Sequence, residues 1–284
     1  METPALEAPR PVTPETATEN DSLRIGVVAA LRDVTRSAIT GGLLGVLVLG
    51  LGGRIAMRVA ALLHPEAVGF TTQNGNAVGD ITVAGTIAIV LFGGLLFGLI
   101  ASVVWVAVGP WLPGRGWARG LVVAPVAVAL SGVFLVERDN FDFGILGYDP
   151  LVIATLIGLI AAFGLVYPVV DEWLDRHLPP AGASGRVLTM YAAPVVMGSV
   201  LILPIAVGFY FSRDVCRCSE SSWPMGLAIV VAGFATVAWW LARAKGASRP
   251  PTITAIVGAL AVVAGVGLGL VQLVGQVGAI LEHR

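Results

Sequence analysis

Long, uninterrupted runs of hydrophobic residues alternate with short polar segments along most of the chain. An α-helix needs about 20 apolar residues to cross a bilayer, and each run approaches or exceeds that length. Because the runs are continuous instead of alternating in polarity, they favour helices over membrane β-strands. We therefore predict an all-α, polytopic membrane helix bundle with about seven transmembrane helices, in a range of six to eight. The predicted spans are Ala38–Leu63, Thr82–Gly109, Trp117–Val136, Pro150–Val170, Val187–Phe211, Met225–Ala242 and Ile253–Leu281.

The composition supports a membrane protein. Hydrophobic residues make up 56% of the 284 residues and charged residues 12%, against about 25% charged in an ordinary soluble domain. The net charge of −1 excludes a nucleic-acid binder built on a basic surface. The loops are too short for a folded soluble domain, so residues 38–284 are predicted to form one transmembrane domain. Its expected partner is the lipid bilayer, with a second membrane protein or another copy of the chain as a further candidate.

The N-terminal region divides into two parts. Residues 1–22 are rich in Pro, Glu and Thr and are predicted to form a disordered cytoplasmic tail. In residues 23–37, apolar positions recur at helical spacing between arginines, which predicts an amphipathic juxtamembrane segment. The same pattern also fits a simple extension of the first span into the cytoplasm. No apolar stretch follows a basic start, so a secretory signal is not expected.

The distribution of Lys and Arg predicts the orientation. Basic residues are concentrated in cytoplasmic loops of membrane proteins. With a cytoplasmic N-terminus, eleven basic residues fall on the inner side and four on the outer side, which predicts an outer C-terminus. The inner residues are Arg10, Arg24, Arg32, Arg36, Arg115, Arg119, Arg176, Arg186, Arg243, Lys245 and Arg249; the outer ones are Arg138, Arg213, Arg217 and Arg284.

Two arginines interrupt the first predicted span. Arg54 and Arg58 are four residues apart and therefore lie on one face of the helix. An arginine at the centre of a membrane helix costs about 2.5–3.5 kcal/mol on insertion scales, so it is usually paired or faces water. Both residues lie toward the outer half of their helix in the predicted topology.

Carboxylates in the outer loops are the predicted partners of these arginines. The candidate polar or ion-pair site consists of Arg54, Arg58, Asp80, Glu137, Asp139, Asp142 and Asp149. Arginine and carboxylate satisfy each other through paired hydrogen bonds. Four interpretations stay open: a structural ion pair, arginines that extend to the outer headgroups, an anion site for a substrate, or a first helix that ends near Gly52.

The sequence offers little catalytic or metal chemistry. Cys216 and Cys218 are the only cysteines and form a candidate redox pair on the outer side, although one intervening residue would strain a disulfide between them. Three scattered histidines do not form a metal set. We expect no catalytic residues, no metal and no cofactor.

Two further sequence patterns predict local structure: pairs of glycines within the spans, and a charged stretch after the fourth span. Gly41 with Gly45, Gly94 with Gly98, and Gly265 with Gly269 are spaced for close helix contacts, which we interpret as packing within the bundle. The charged stretch Asp171–His177 follows the fourth span and is predicted to be an inner loop.

Three functional classes fit these observations. The first is a structural or accessory protein of the plasma membrane. The second is a small transporter or channel with an outward-facing polar site around Arg54, Arg58 and the acidic loop at 137–149. The third is a membrane enzyme acting on a lipid-linked substrate, for which no nucleophile or metal cluster is evident, so an enzyme is not favoured. The excess of Arg over Lys and the high content of Ala, Gly and Val are typical of a high-GC bacterium.

Overall fold

A computed structural model describes residues 19–71, 78–79, 82–137, 141–146, 149–182, 184–212 and 222–282, with side chains at residues 19–21 and 141–142 left aside. The long elements of these residues are helices, and seven of them are long and apolar enough to cross a membrane. The predicted all-α bundle of seven spans is therefore confirmed.

The seven spans are labelled α1 to α7 in chain order. Helix α1 consists of three consecutive segments: the α-helical Glu19–Leu44, the π-helical Gly45–Leu51 and the α-helical Gly52–Leu63. Helix α2 likewise consists of Val83–Ala88, the π-helical Ile89–Leu96 and Phe97–Val108. The remaining spans are α3 (Gly116–Ser131), α4 (Pro150–His177), α5 (Gly185–Phe211), α6 (Trp223–Ala244) and α7 (Thr252–Glu282). Short 3-10 turns follow α1, α2 and α3, and a short helix, Phe141–Ile145, lies between α3 and α4.

Two helices extend well beyond the predicted spans. Helix α1 runs without a break through residues 23–37, so this segment continues the first span. Helix α4 continues to His177, so the prediction of an inner loop at Asp171–His177 is wrong. Arg176 in the last turn of α4 places a positive charge at the negative end of the helix dipole, which favours this extension.

Glycines bring α1 and α2 into close contact. A Cβ atom at Gly41 would lie 2.2 Å from the carbonyl oxygen of Gly98, and one at Gly45 would lie 2.4 Å from that of Gly94. The two π-helical segments meet at this contact. A Cβ at Gly269 would likewise lie 2.1 Å from the carbonyl oxygen of Ala129 in α3. The prediction that the small-residue pairs pack within the bundle is confirmed.

Apolar clusters join the helices at both ends and in the middle. One cluster combines side chains of α2, α3, α5, α6 and α7, and includes Val108, Leu130, Met225 and Val262. A second cluster, around Trp105, Phe163 and Tyr167, combines side chains of the four helices α1, α2, α3 and α4. Only 6% of the most apolar 18-residue stretch of helix α5 is buried, so this helix lies at the periphery of the bundle.

Candidate functional site

The charged extensions of α1 and α4 form a ladder of ion pairs at the end of the bundle that carries the N-terminus. Arg32 contacts Asp175 at 2.5 Å, and one helical turn later the Nε atom of Arg36 contacts Asp171 at 3.0 Å. Arg36 also reaches Asp175 at 2.5 Å. Arg32 and Arg36 are four residues apart, as are Asp171 and Asp175, so in antiparallel helices the two arginines face the two aspartates. The ladder joins the first and fourth spans.

Arg32 also terminates α4. Its guanidinium donates to the backbone carbonyls of Asp175, Leu178 and Pro179, at 2.5, 3.2 and 2.9 Å. The last carbonyls of a helix have no partner within the helix, and a cation there satisfies both their hydrogen bonds and the helix dipole. Each of the three guanidinium nitrogens of Arg32 therefore makes a structural contact.

A third ion pair attaches α6 to this cluster. Arg243 donates to Asp33 at 2.8 Å, and Arg36 lies 3.6 Å from the other oxygen of the same carboxylate. The side chain of Asp171 is 4% exposed, whereas that of Asp175 is 47% exposed, so the ladder runs from the open end of the bundle into its interior.

Arg119 on α3 has a different environment. Its guanidinium lies 4.8 Å from the centre of the Trp105 ring and donates to the backbone carbonyl of Gly109. Its buried Nε atom has no hydrogen-bond partner among the described residues. In the part of the chain that the structure describes, no carboxylate lies within 4 Å of Arg119, whereas Arg32, Arg36 and Arg243 all have one.

These residues surround a cavity of about 540 Å³, which we call the polar cavity. A volume of 300–1,000 Å³ is typical of sites for small molecules. Its lining combines four arginines, three aspartates and three indole rings: Arg32, Arg36, Arg119, Arg243, Asp33, Asp171, Asp175, Trp105, Trp239 and Trp240. Ser37, which is 2% exposed, marks its deep end on α1.

A smaller apolar chamber lies deeper in the bundle. Its volume is about 80 Å³, and its walls are mainly aliphatic and aromatic. Trp105 lines both spaces, and its ring centre lies 4.9 Å from that of Tyr167. The hydroxyl of Tyr167 donates to the backbone carbonyl of Ser37 at 2.8 Å. Trp105 and Tyr167 therefore form the partition between the polar cavity and the apolar chamber.

The residues predicted as a site lie at the opposite end of the bundle. Val136 and Phe143 pack with Ala60 of α1 and Val152 of α4, so the segments that carry the predicted arginines and acids do meet. Arg58 is exposed and donates to the backbone carbonyl of Gly79 at 2.8 Å, while Arg54 is partly buried.

The predicted acids have different environments at this end. Glu137 is 8% exposed. Asp149 accepts from the backbone N–H of Leu151 at 2.7 Å and caps α4. Asp80 and Asp139 lie outside the described residues, as does the side chain of Asp142. A shared ion-pair site with Arg54 and Arg58 stays a prediction.

His64 supplies a contact that the sequence did not predict. Its Nε2 atom lies 2.8 Å from Asp149 and its Nδ1 atom lies 3.1 Å from Glu66. Burial opposes the charged imidazole, but the hydrogen bonds to Asp149 and Glu66 outweigh it and raise the pKa of His64 above its ordinary value. A backbone hydrogen bond and then the contact with His64 lower the pKa of Glu66. His64 thus links the end of α1 to the start of α4.

Cys216 and Cys218 lie outside the described residues, so the candidate redox pair stays a prediction. Within the described ranges, no group of three or more His, Cys, Asp or Glu side chains is arranged to hold a metal ion.

Sequence reasoning missed the polar cavity because all of its charged residues except Arg119 were assigned to a loop or to the N-terminal segment. A signal was present: Arg32 with Arg36 and Asp171 with Asp175 have the same spacing, opposite charge and the same predicted side of the membrane. Comparison with known protein families, curated proteins and solved structures gives no match to this chain.

Proposed function

We propose that this multi-pass membrane protein is a small transporter that takes a solute into the polar cavity. The single observation that supports the proposal is a cavity of about 540 Å³ lined by four arginines and three aspartates between membrane-spanning helices. Ionisable side chains within a membrane protein are costly, and they commonly mark substrate or ion pathways. The cavity lies at the opposite end of the bundle from the polar site predicted around Arg54 and Arg58.

The arrangement of the two spaces supports transport in particular. The polar cavity and the apolar chamber lie on either side of the partition formed by Trp105 and Tyr167. A conformation in which the partition separates would join the two spaces. Leu49, in the π-helical segment of α1, lines the apolar chamber, and π-helical segments are frequent at functional sites. With the predicted orientation, the polar cavity opens to the cytoplasm of a bacterial cell.

The proposal is tested by chemical access to the deep end of the cavity. In a background with Cys216→Ser and Cys218→Ser, Ser37→Cys introduces a thiol in the cavity lining, and Ala38→Cys introduces one at the adjacent position outside it. A small, charged thiol reagent is applied separately to each side of the membrane in sealed vesicles.

We expect the Ser37→Cys variant to react from the side that faces the N-terminus and the Ala38→Cys variant to remain unlabelled. Equal labelling of both, or no labelling of a folded Ser37→Cys variant, would contradict a water-filled cavity. The reactive side also measures the orientation of the chain.

An accessory role in a membrane complex is the second candidate. Helix α5 supports it, because only 6% of its most apolar window is buried and Met197 and Val200 are each 70% exposed. A folded but unlabelled Ser37→Cys variant would favour this role, since the ion pairs would then be enclosed contacts between helices.

A further inference from the structure

The charge balance of the polar cavity indicates which solute it fits. Its three aspartates are each in contact with an arginine: Asp33 with Arg243, Asp171 with Arg36, and Asp175 with Arg32. Arg119 is the fourth cation of the lining and has no carboxylate within 4 Å among the described residues. The side chains that line the cavity therefore carry four positive and three negative charges, and within the described ranges Arg119 is attracted only by carboxylates beyond 4 Å, those of Asp171 and Glu172.

The other contacts of Arg119 leave capacity for an anion. The face of its guanidinium lies against Trp105, and a backbone carbonyl accepts one of its N–H groups. Guanidinium carries five donors in a planar arrangement that matches a carboxylate or a phosphate. Its Nε atom is fully buried and has no partner in the described part of the chain, so the donors left for a solute are on the two terminal nitrogens.

The walls beside Arg119 fit an organic ligand. Three indole rings, those of Trp105, Trp239 and Trp240, line the same cavity. Indole surfaces contact flat apolar groups favourably. At about 540 Å³, the cavity is also much larger than a single hydrated inorganic ion requires, since a water occupies about 30 Å³ in the liquid.

We infer that the polar cavity binds a small organic monoanion whose charged group contacts Arg119 and whose apolar body lies against the tryptophans. This inference rests on the proposed uptake of a solute into the cavity. A free carboxylate and the phosphodiester of an anionic lipid headgroup share this chemistry, and the experiment distinguishes these two sources.

Three probes of nearly equal shape test the charge requirement. Benzoate, benzamide and benzamidinium carry charges of −1, 0 and +1. Each is titrated into the full-length protein in phosphatidylcholine nanodiscs, and binding is followed by tryptophan fluorescence and by the midpoint of thermal unfolding. We expect saturable binding of benzoate only.

Variants then test the role of Arg119. We expect Arg119→Gln to weaken benzoate binding by about tenfold or more, because a hydrogen-bonded charge is lost, and Arg119→Lys to retain part of the affinity. The exposed Arg249, which is not part of the cavity lining, supplies the matched control, and Arg249→Gln should bind benzoate as the unmodified protein does.

The outcomes separate this inference from the proposed function. If phosphatidylglycerol in the nanodisc competes with benzoate, the monoanion is a lipid headgroup; if it does not, the monoanion is a soluble solute. Equal binding of all three probes, or none by benzoate, would overturn the inference even where the Ser37→Cys variant shows a water-filled cavity. Failure of that labelling would instead overturn the proposed function.

Discussion

The contact between α1 and α2 has no room for a methyl group, which makes Gly98→Ala a sharp perturbation. A Cβ atom at Gly98 would lie 2.0 Å from the carbonyl oxygen of Gly41 and 2.8 Å from the Cα atom of Gly45. Both neighbours are backbone atoms, so no side chain can rotate away. The two helices would have to move apart by about 1 Å or more to restore contacts of about 3.5–4 Å.

The expected cost follows from overpacking. Extra methyl groups in a close-packed interior typically cost about 1–3 kcal/mol. Alanine is also the better helix former, by about 1 kcal/mol, so part of this cost is offset. A control that gains the same helix preference without the contact is therefore needed. Gly267 in α7 is exposed and a Cβ there would meet nothing within 4 Å.

The assay is the thermal midpoint of both variants in one detergent. At about 2–4 °C per kcal/mol, as measured for proteins of about 150–250 residues, Gly98→Ala should unfold about 2–12 °C below Gly267→Ala. A midpoint for Gly98→Ala equal to that of Gly267→Ala would refute the close approach of α1 and α2.

Three further predictions concern charge and orientation. Asp171→Asn should lower the free energy of unfolding by about 1.5–3 kcal/mol, because Arg36 loses its most buried carboxylate partner but keeps its contacts with Asp175 and Asp33. Arg36→Met combined with Asp171→Leu should recover much of this loss, and denaturation of the two variants beside the unmodified protein measures both effects. The raised pKa of His64 means that its contacts with Asp149 and Glu66 stabilise the fold fully below about pH 6.5, the value in the unfolded chain, and lose this contribution as pH rises through the folded pKa. His64→Gln should therefore flatten the decrease in thermal midpoint as pH rises above about 6.5, and an unchanged profile would exclude the histidine as its cause. A phosphatase that folds only outside the cytoplasm should be active when fused to the C-terminus, and an inactive fusion would contradict the predicted orientation.

Hydrophobic runs predicted the spans well because the bilayer imposes one strong rule on every helix. The ends of α2, α5, α6 and α7 lie within two residues of the predicted ends, and so do those of α3 when the 3-10 turn Gly132–Phe134 is counted with it. The end of α4 was missed, and the start of α1 was left open between two interpretations, for one physical reason. Hydropathy ends a span where charge begins, because an isolated charge is costly in a membrane. In the fold, Arg36 and Asp171 neutralise each other across the two helices, so both helices continue.

The candidate site could not be located from the sequence, because sequence position does not reveal which charges meet. Arg54 and Arg58 were predicted to be part of a polar site because they lie within an apolar run. In the fold, Arg58 donates to a backbone carbonyl in the next loop. The residues that form the polar cavity come from α1, α2, α3, α4 and α6, and from the turns that follow α2 and α4. Only their three-dimensional arrangement distinguishes the paired arginines from Arg119.

This distinction favours a binding role for the cavity over a purely structural one. Buried ion pairs contribute little net stability, because desolvation offsets their attraction, and apolar residues of similar volume often stabilise a fold equally well. A purely structural ladder would therefore have no need of an adjoining cavity of about 540 Å³ or of a fourth cation in its lining. Arg119 adds a positive charge that no described carboxylate matches within 4 Å. An anion taken into the cavity would balance that charge. In a rigid accessory protein, by contrast, the desolvation of the Arg119 guanidinium would be unfavourable and would serve no function.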